Sequence, residues 1–306
     1  MRMMQVTPEF VIGATTGLLA AFLFAISVNI YKSQSVGIRP VAVSSIKMWI
    51  SLPFMVALVL VLLPFRTTPY MVPLESLPAL SFSMVAGAVV GDTAYLISQD
   101  RIGVSHAFPI AGAHPILTYL IALAFLGEPF AVGRMSGVVL AVIGIVLISR
   151  EHGVKKDGEQ IRRSFNPLGI GLAFLALVMF SLAAVFTYIG VIGVDPIDAN
   201  LPRVVVGSIV LVPIFAAAKH RGMPTPSRHA TKLTIVAGFL GMSIGSVFYI
   251  MSFKYVGAAV GSVLASTSPL FAVPMSLLFL KEHVSRIAVV GIVATITGVF
   301  LVLTGF

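Results

Sequence analysis

Long apolar runs separated by short polar connections make up nearly the whole chain. Ten runs approach or exceed the about 20 apolar residues that a helix needs to cross a bilayer. They cover 9–31, 41–64, 79–99, 104–126, 132–149, 168–190, 199–218, 233–253, 258–280 and 286–304. Connections are short except for Arg150 to Asn166 and Lys219 to Lys232. The pattern predicts an all-α membrane protein with ten transmembrane helices.

The pattern also repeats. Shifted by 154 positions, residues 95–149 fall on 249–303 without a gap. Tyr95 lands on Tyr249, Pro115 on Pro269, Glu128 on Glu282, Gly137 on Gly291 and Gly144 on Gly298. Duplication in an apolar helical chain is the sequence trace of transporters built from repeats, whose site lies where the repeats meet. Five helices per copy is an odd number, so the second copy enters the membrane upside down. The expected organisation is two inverted five-helix repeats, 1–150 and 168–306, around a central cavity and joined by a charged loop over 151–167.

Composition agrees with a lipid environment. Charged residues make up 10% of the 306 and mean hydropathy is +1.04, whereas soluble domains carry roughly 25% charged residues. With no cysteine, neither a disulfide framework nor a thiolate metal site is available. The net charge of +9 resembles a nucleic-acid footprint until its placement is considered: the cations sit in the short segments between spans, where they set orientation. Four of them (Arg2, Arg66, Arg134, Lys254) lie on the face that holds both termini, and fourteen lie on the other. The fourteen-cation face is therefore expected to be cytoplasmic, with both termini outside and the protein in the cytoplasmic (inner) membrane. The stretch from Phe10 to Tyr31 is too long for the core of a signal peptide. Its Gly17, Leu18, Leu23 and Ser27 match Gly171, Leu172, Leu177 and Ser181, so it is expected to be a retained first helix.

Several duplicated features read as scaffold. Gly87-x-x-x-Gly91 recurs as Gly241-x-x-x-Gly245, and Gly133, Gly137 and Ala141 line one face of the fifth span. Small residues at this spacing let helix backbones approach closely in lipid. Pro115 and Pro269 each remove a backbone donor in mid-span and predict a kink. Glu128 and Glu282 close the fourth and ninth spans near the headgroups.

A helix after a Gly-Val or Gly-Ala start, with a central His-Pro or Ser-Pro, an end in Leu-x-Glu and a following glycine-rich helix, resembles the EamA-type repeat of the drug/metabolite transporter superfamily. The matching stretches are Val104 to Ile148 and Ala258 to Leu301. Lys281 departs from that pattern at the place Gly127 takes in the first copy. The resemblance implies a ten-helix bundle whose central cavity opens alternately to the two sides. It leaves the substrate open among amino acids, other metabolites, sugar phosphates and nucleotide sugars.

Where the two copies differ, substrate chemistry is expected. The third span carries Asp92, Tyr95 and Gln99 within about 60° of one helical face, and the eighth carries Ser246, Tyr249 and Phe253 at the matching places. His114 is matched by Ser268. Carboxylates inside a bilayer are expensive and pair with a cation or line a pathway. Asp92 is thus expected to bind a cationic group, exchange a proton, or pair with Lys47 or Arg203, which occupy corresponding places early in the second and seventh spans. The candidate substrate-binding set is Lys47, Asp92, Tyr95, His114, Arg203 and Tyr249. No G-x-x-x-x-G-K-[ST] string is present and no residues have metal-ligand spacing, so neither nucleotide hydrolysis nor a cofactor is expected. Asp195-Pro-Ile-Asp198 reads as a solvated loop, or alternatively as the metal-holding pair of a membrane-embedded transferase. The expected function is secondary-active export of small polar metabolites such as amino acids. Its partners would be a small-molecule substrate, with proton coupling as one option, and the lipid bilayer, but no nucleic acid. The protein is expected to be a monomer or homodimer and not an enzyme.

Overall fold

The computed structural model describes residues 7–33, 37–66, 69–151, 166–271, 275 and 286–304. Most of the charged loop, the last part of the 258–280 span, Lys281 and Glu282 lie outside the described residues. Among the described residues the chain is all-helical. Its elements are α1 (Pro8–Ser33), α2 (Pro40–Leu62), α3 (Leu77–Ile102), α4 (Val104–Ala111), α5 (His114–Phe125), α6 (Val132–Glu151), α7 (Pro167–Val191), α8 (Pro196–His220), α9 (Arg228–Gly238), α10 (Ser246–Ser266) and α11 (Arg286–Thr304). Among the described residues, eight helical stretches are long and apolar enough to cross a membrane, and the run Arg228–Phe271 holds the predicted span 233–253 and the first part of 258–280. Helix is the form an open chain can take in hydrocarbon, because it satisfies its own backbone bonds.

Local sequence sets the helix starts. α1, α2, α7 and α8 open on Pro8, Pro40, Pro167 and Pro196, where a fixed φ suits the first turn and the missing N–H has no partner to lose. Asn166 accepts from Gly169 N at 2.9 Å, Asp195 from Ile197 N at 2.9 Å, and Ser227 from Ala230 N at 3.1 Å. Each side chain thus satisfies a donor of the first turn.

Three interruptions recur 154 residues apart. Val85–Gly91 and Phe239–Gly245 are wide π turns that lead directly into Asp92 and Ser246. Gly103 and Gly257 adopt φ of +80° and +85°, a region that glycine enters without a Cβ clash. Helices also break two residues before each central proline, at Ala113 and Thr267, which places the predicted kinks. The break at Gly257 is closed by Glu128, whose Oε1 accepts from Ala258 N at 3.1 Å and Ala259 N at 3.4 Å. Glu128 lies between α5 and α6, outside the spans. Its burial holds the carboxyl above the usual range, against the two amide donors and Arg134.

The glycines predicted as scaffold are contact points between the two halves. A Cβ at Gly87 would lie 3.0 Å from Ala183 of α7, and one at Gly91 would lie 2.8 Å from the Phe180 ring. Gly241 and Gly245 face Ser27 and Phe24 of α1 in the same way. Gly137 meets Gly298 O and Gly291 meets Gly144 O, each at 2.8 Å from an added Cβ, which seats α6 on α11. Polar side chains turn inward: Ser44, Ser51, Ser181, Thr187 and Asn200 are fully buried, while Leu60, Phe125 and Phe300 are exposed. That is the reverse of a soluble protein and suits lipid on the outside.

Removing the Glu128 carboxylate leaves two amides at the α10 break without their acceptor. Glu128→Ala should lower stability by about 1–2 kcal/mol, the scale of a lost N-terminal cap, read as a lower thermal midpoint in detergent. Gly257→Ala should act in the same direction, because its positive φ and the Glu128 oxygen 3.0 Å from an added Cβ both oppose a side chain.

Candidate functional site

Two cations enter the bundle at matching depth. Lys47 lies seven residues beyond Pro40, and Arg203 seven beyond Pro196, about 10 Å along each axis at 1.5 Å per residue. Both are buried, at 7% and 6% exposure. The structure gives them different partners.

Lys47 Nζ forms an ion pair with Asp92 Oδ2. Asp92 is the first residue after the Val85–Gly91 π turn, and the phenol of Tyr31 lies close enough to feel its charge. The lysine side chain is 9% exposed and the aspartate side chain 31%, so the pair is buried on one side and reachable on the other. Of the two cations considered for Asp92, the carboxylate takes Lys47.

Arg203 instead joins a neutral network. Its Nε donates to Ser83 Oγ at 2.9 Å, its NH1 to Asn200 Oδ1 at 3.5 Å and its NH2 to Thr187 Oγ1 at 3.4 Å. Asn200 passes the chain on, donating from Nδ2 to Ser246 Oγ at 2.7 Å. Ser246 is the residue that matches Asp92. The first half thus joins its cation directly to a carboxylate, while the second reaches the same position through an amide and a hydroxyl. The guanidinium stands 5.9 Å from the ring centre of Tyr249.

A third group forms around Phe180 of α7. Tyr95 packs edge-on to Phe180 and Phe108 at centroid distances of 6.2 and 6.3 Å, and His114 packs on Phe180 at 5.7 Å. Tyr95 also bonds Gln99. His114 Nε2 lies 2.9 Å from Ser266 Oγ, so its partner across the halves is two residues before the matched Ser268. The carbonyl of His114 accepts from Ser181 Oγ at 3.1 Å. Tyr95 therefore belongs with His114 and Tyr249 with Arg203, and Asp92 shares its pair with Lys47.

Asp198 is corrected from a solvated loop, while the Asp195 side chain stays 48% exposed. Asp198 is 3% exposed, and Arg66 bonds it through NH1 and Asp195 through NH2 at 2.9 Å. Met71 N donates to Asp198 Oδ2 at 3.3 Å. The Asp198 bond holds the Arg66 guanidinium above its ordinary pKa. Both carboxylates cap α8 or hold a cation of this chain, and among the described residues no group of three or more His, Cys, Asp or Glu could hold a metal.

Sequence reasoning missed Asn200, Ser83 and Thr187. Asn200 could have been found, since it precedes Arg203 by one helical turn inside an apolar run. The serine and threonine could not, because hydroxyls in apolar helices ordinarily bond their own backbone.

Residues 11–150 and 167–304 both match the EamA-like transporter family. An uncharacterized transporter of Archaeoglobus fulgidus is 24% identical over 76% of this chain and 78% of its own length. A Staphylococcus aureus protein provisionally named as the ribose uptake protein RbsU is 26% identical over 73% of this chain and 76% of its own. A crystal structure 14% identical in sequence superposes with a TM-score of 0.75, covering 95% of this chain and 96% of that one.

Lys47→Ala leaves the Asp92 carboxylate in apolar surroundings without its cation. The expected loss is about 1–3 kcal/mol, below the 3–5 kcal/mol of a fully buried pair because the aspartate keeps 31% exposure. The double variant Lys47→Ala/Asp92→Asn should recover part of it. Thermal midpoints of the four proteins in detergent measure the cycle.

Proposed function

The chain belongs to the EamA-like transporter family, and from that premise we propose that it is a secondary transporter of small polar metabolites. In this reading ten helices form two inverted five-helix repeats, 1–150 and 168–306, which expose a central site to one side of the membrane at a time. Lys47, Asp92, Tyr95, His114, Arg203 and Tyr249 contribute that site, and export of amino acids across the cytoplasmic membrane is the leading activity. The observation that carries the reading is the Lys47–Asp92 pair, held in an apolar bundle with the aspartate side chain 31% exposed. Stability gives little reason for such a pair, since desolvation cancels much of its attraction. A site that exchanges one partner for a solute or a proton has reason to keep it.

Uptake of a neutral sugar is the second reading. It draws on the provisional name of the Staphylococcus aureus relative and on the hydroxyls and amide around Arg203. Purified protein in sealed liposomes, tested with amino acids, their amides, ribose and ribose phosphates, separates the two. Flux of at least one solute is expected, and folded protein that moves none of them would remove transport as the function. If Asp92 carries the coupling proton, Asp92→Asn should transport without responding to an imposed pH gradient. An unchanged pH response would return the Lys47–Asp92 pair to a structural role.

Both termini are placed outside by the cation count. A C-terminal reporter that works only in the cytoplasm should stay silent, and strong signal would reverse the orientation.

A further inference from the structure

We propose that Arg203 is the receptor for an anionic oxygen group of the transported solute, either a carboxylate or a phosphate. The inference rests on the transport reading and narrows the class of substrate. Lys47, Arg66 and Arg134 each lie within ion-pair distance of a carboxylate. Arg203 is 6% exposed, and among the described residues no carboxylate lies within that distance of it. Its hydrogen-bond partners are two hydroxyls and an amide, at 2.9, 3.4 and 3.5 Å. A cation inside a bilayer calls for a counter-charge, and three neutral oxygens orient a guanidinium without neutralising it.

Comparison of the halves sharpens the point. In the first, Lys47 meets Asp92 directly. In the second, Ser246 stands where Asp92 would be, and Asn200 bridges it to Arg203. The cation is kept and the internal carboxylate is gone. A guanidinium carries five N–H donors, and those three bonds engage one donor on each nitrogen. One donor is left on each terminal nitrogen, and a guanidinium that offers both can meet a carboxylate or phosphate with two bonds. Ser83, Thr187 and the Tyr249 ring hold the group in position. Lys47 could serve an anion only by giving up Asp92, whereas Arg203 gives up no charge.

Solute pairs that differ only in the anion test this: alanine against alaninamide, and ribose 5-phosphate against ribose. Thermal stabilisation of the intact protein in detergent and flux in liposomes are read for each. At least one anionic member should bind at least about tenfold more tightly than its neutral counterpart. Arg203→Gln should erase that preference, and Arg203→Lys should retain part of it. Which anion wins distinguishes a carboxylate from a phosphate substrate. Neutral members binding as well as the anions, no anion binding to the folded wild type, or an undiminished preference in folded Arg203→Gln would each overturn the inference. The wild-type comparison decides even if the glutamine variant does not fold. Flux of ribose that survives Arg203→Gln would overturn the anion receptor and leave transport standing. Anion-selective binding with no flux of any solute would do the reverse.

Discussion

Hydrocarbon offers no hydrogen bonds, so each departure from regular helix must be answered by a group of the protein itself. The departures here are answered one by one. Glu128 receives the amides that open after Gly257. Ser181 of the other half donates to the carbonyl of His114, beside the break at Ala113. Ser51 and Ser246 both donate to Met242 O within the second π turn, at 2.9 and 2.6 Å. Ser27 donates to Ala237 O at 2.8 Å just before that turn. In several of these the answering side chain comes from the other half of the chain, so the irregular backbone of one half is completed by the other.

That dependence explains why the candidate residues sit where they do. A π turn widens the helix by one residue and shifts the register of everything after it, which is how such turns come to lie at functional sites. Asp92 and Ser246 are the first residues past the two wide turns, and Lys47 and Arg203 reach toward them from helices opened by proline. Gly87, Gly91, Gly241 and Gly245 lie on those same turns and bring α7 and α1 close. The scaffold and the polar site are thus one feature: small residues let the backbone widen against a neighbour, and the residue after the widening faces inward.

Much of this is legible in the sequence alone. Hydropathy located the apolar helical stretches, eight of them long enough to span among the described residues, because apolar length is a strong signal in a membrane chain. The 154-residue offset placed the paired glycines and the kinks before Pro115 and Pro269, and two extra residues in the second half gave the correspondence of Lys47 with Arg203. Partner choice was not legible. Asp92 could have met either cation, and which one depends on how the turn after Gly91 aims the helix, a matter of degrees that residue types do not encode. The role of Glu128 was half legible: its retention in both copies spoke for architecture, but its acceptor function depends on a glycine 129 positions later in the chain. Asp198 was misjudged because its loop is hydrophilic, while its burial comes from Arg66 and Met71 folding over it.

The kinds of contact present also constrain how the two halves can move. α6 and α11 touch through glycine backbones, with Gly137 against Gly298 and Gly144 against Gly291. Backbones that close have no alternative arrangement that keeps the interior filled, so separating these helices would open a void at full cost. The Arg66 contact with the half-exposed Asp195, and Lys254 Nζ on Val194 O at 2.9 Å, are of another kind. They join the ends of spans, where water and headgroups can replace a lost partner at small net cost. The Lys47–Asp92 pair lies between these extremes, since its lysine is buried and its aspartate is within reach of a replacement. Motion that exposes the interior is therefore cheapest where polar contacts close the helix ends, with the α6–α11 seam moving as a unit.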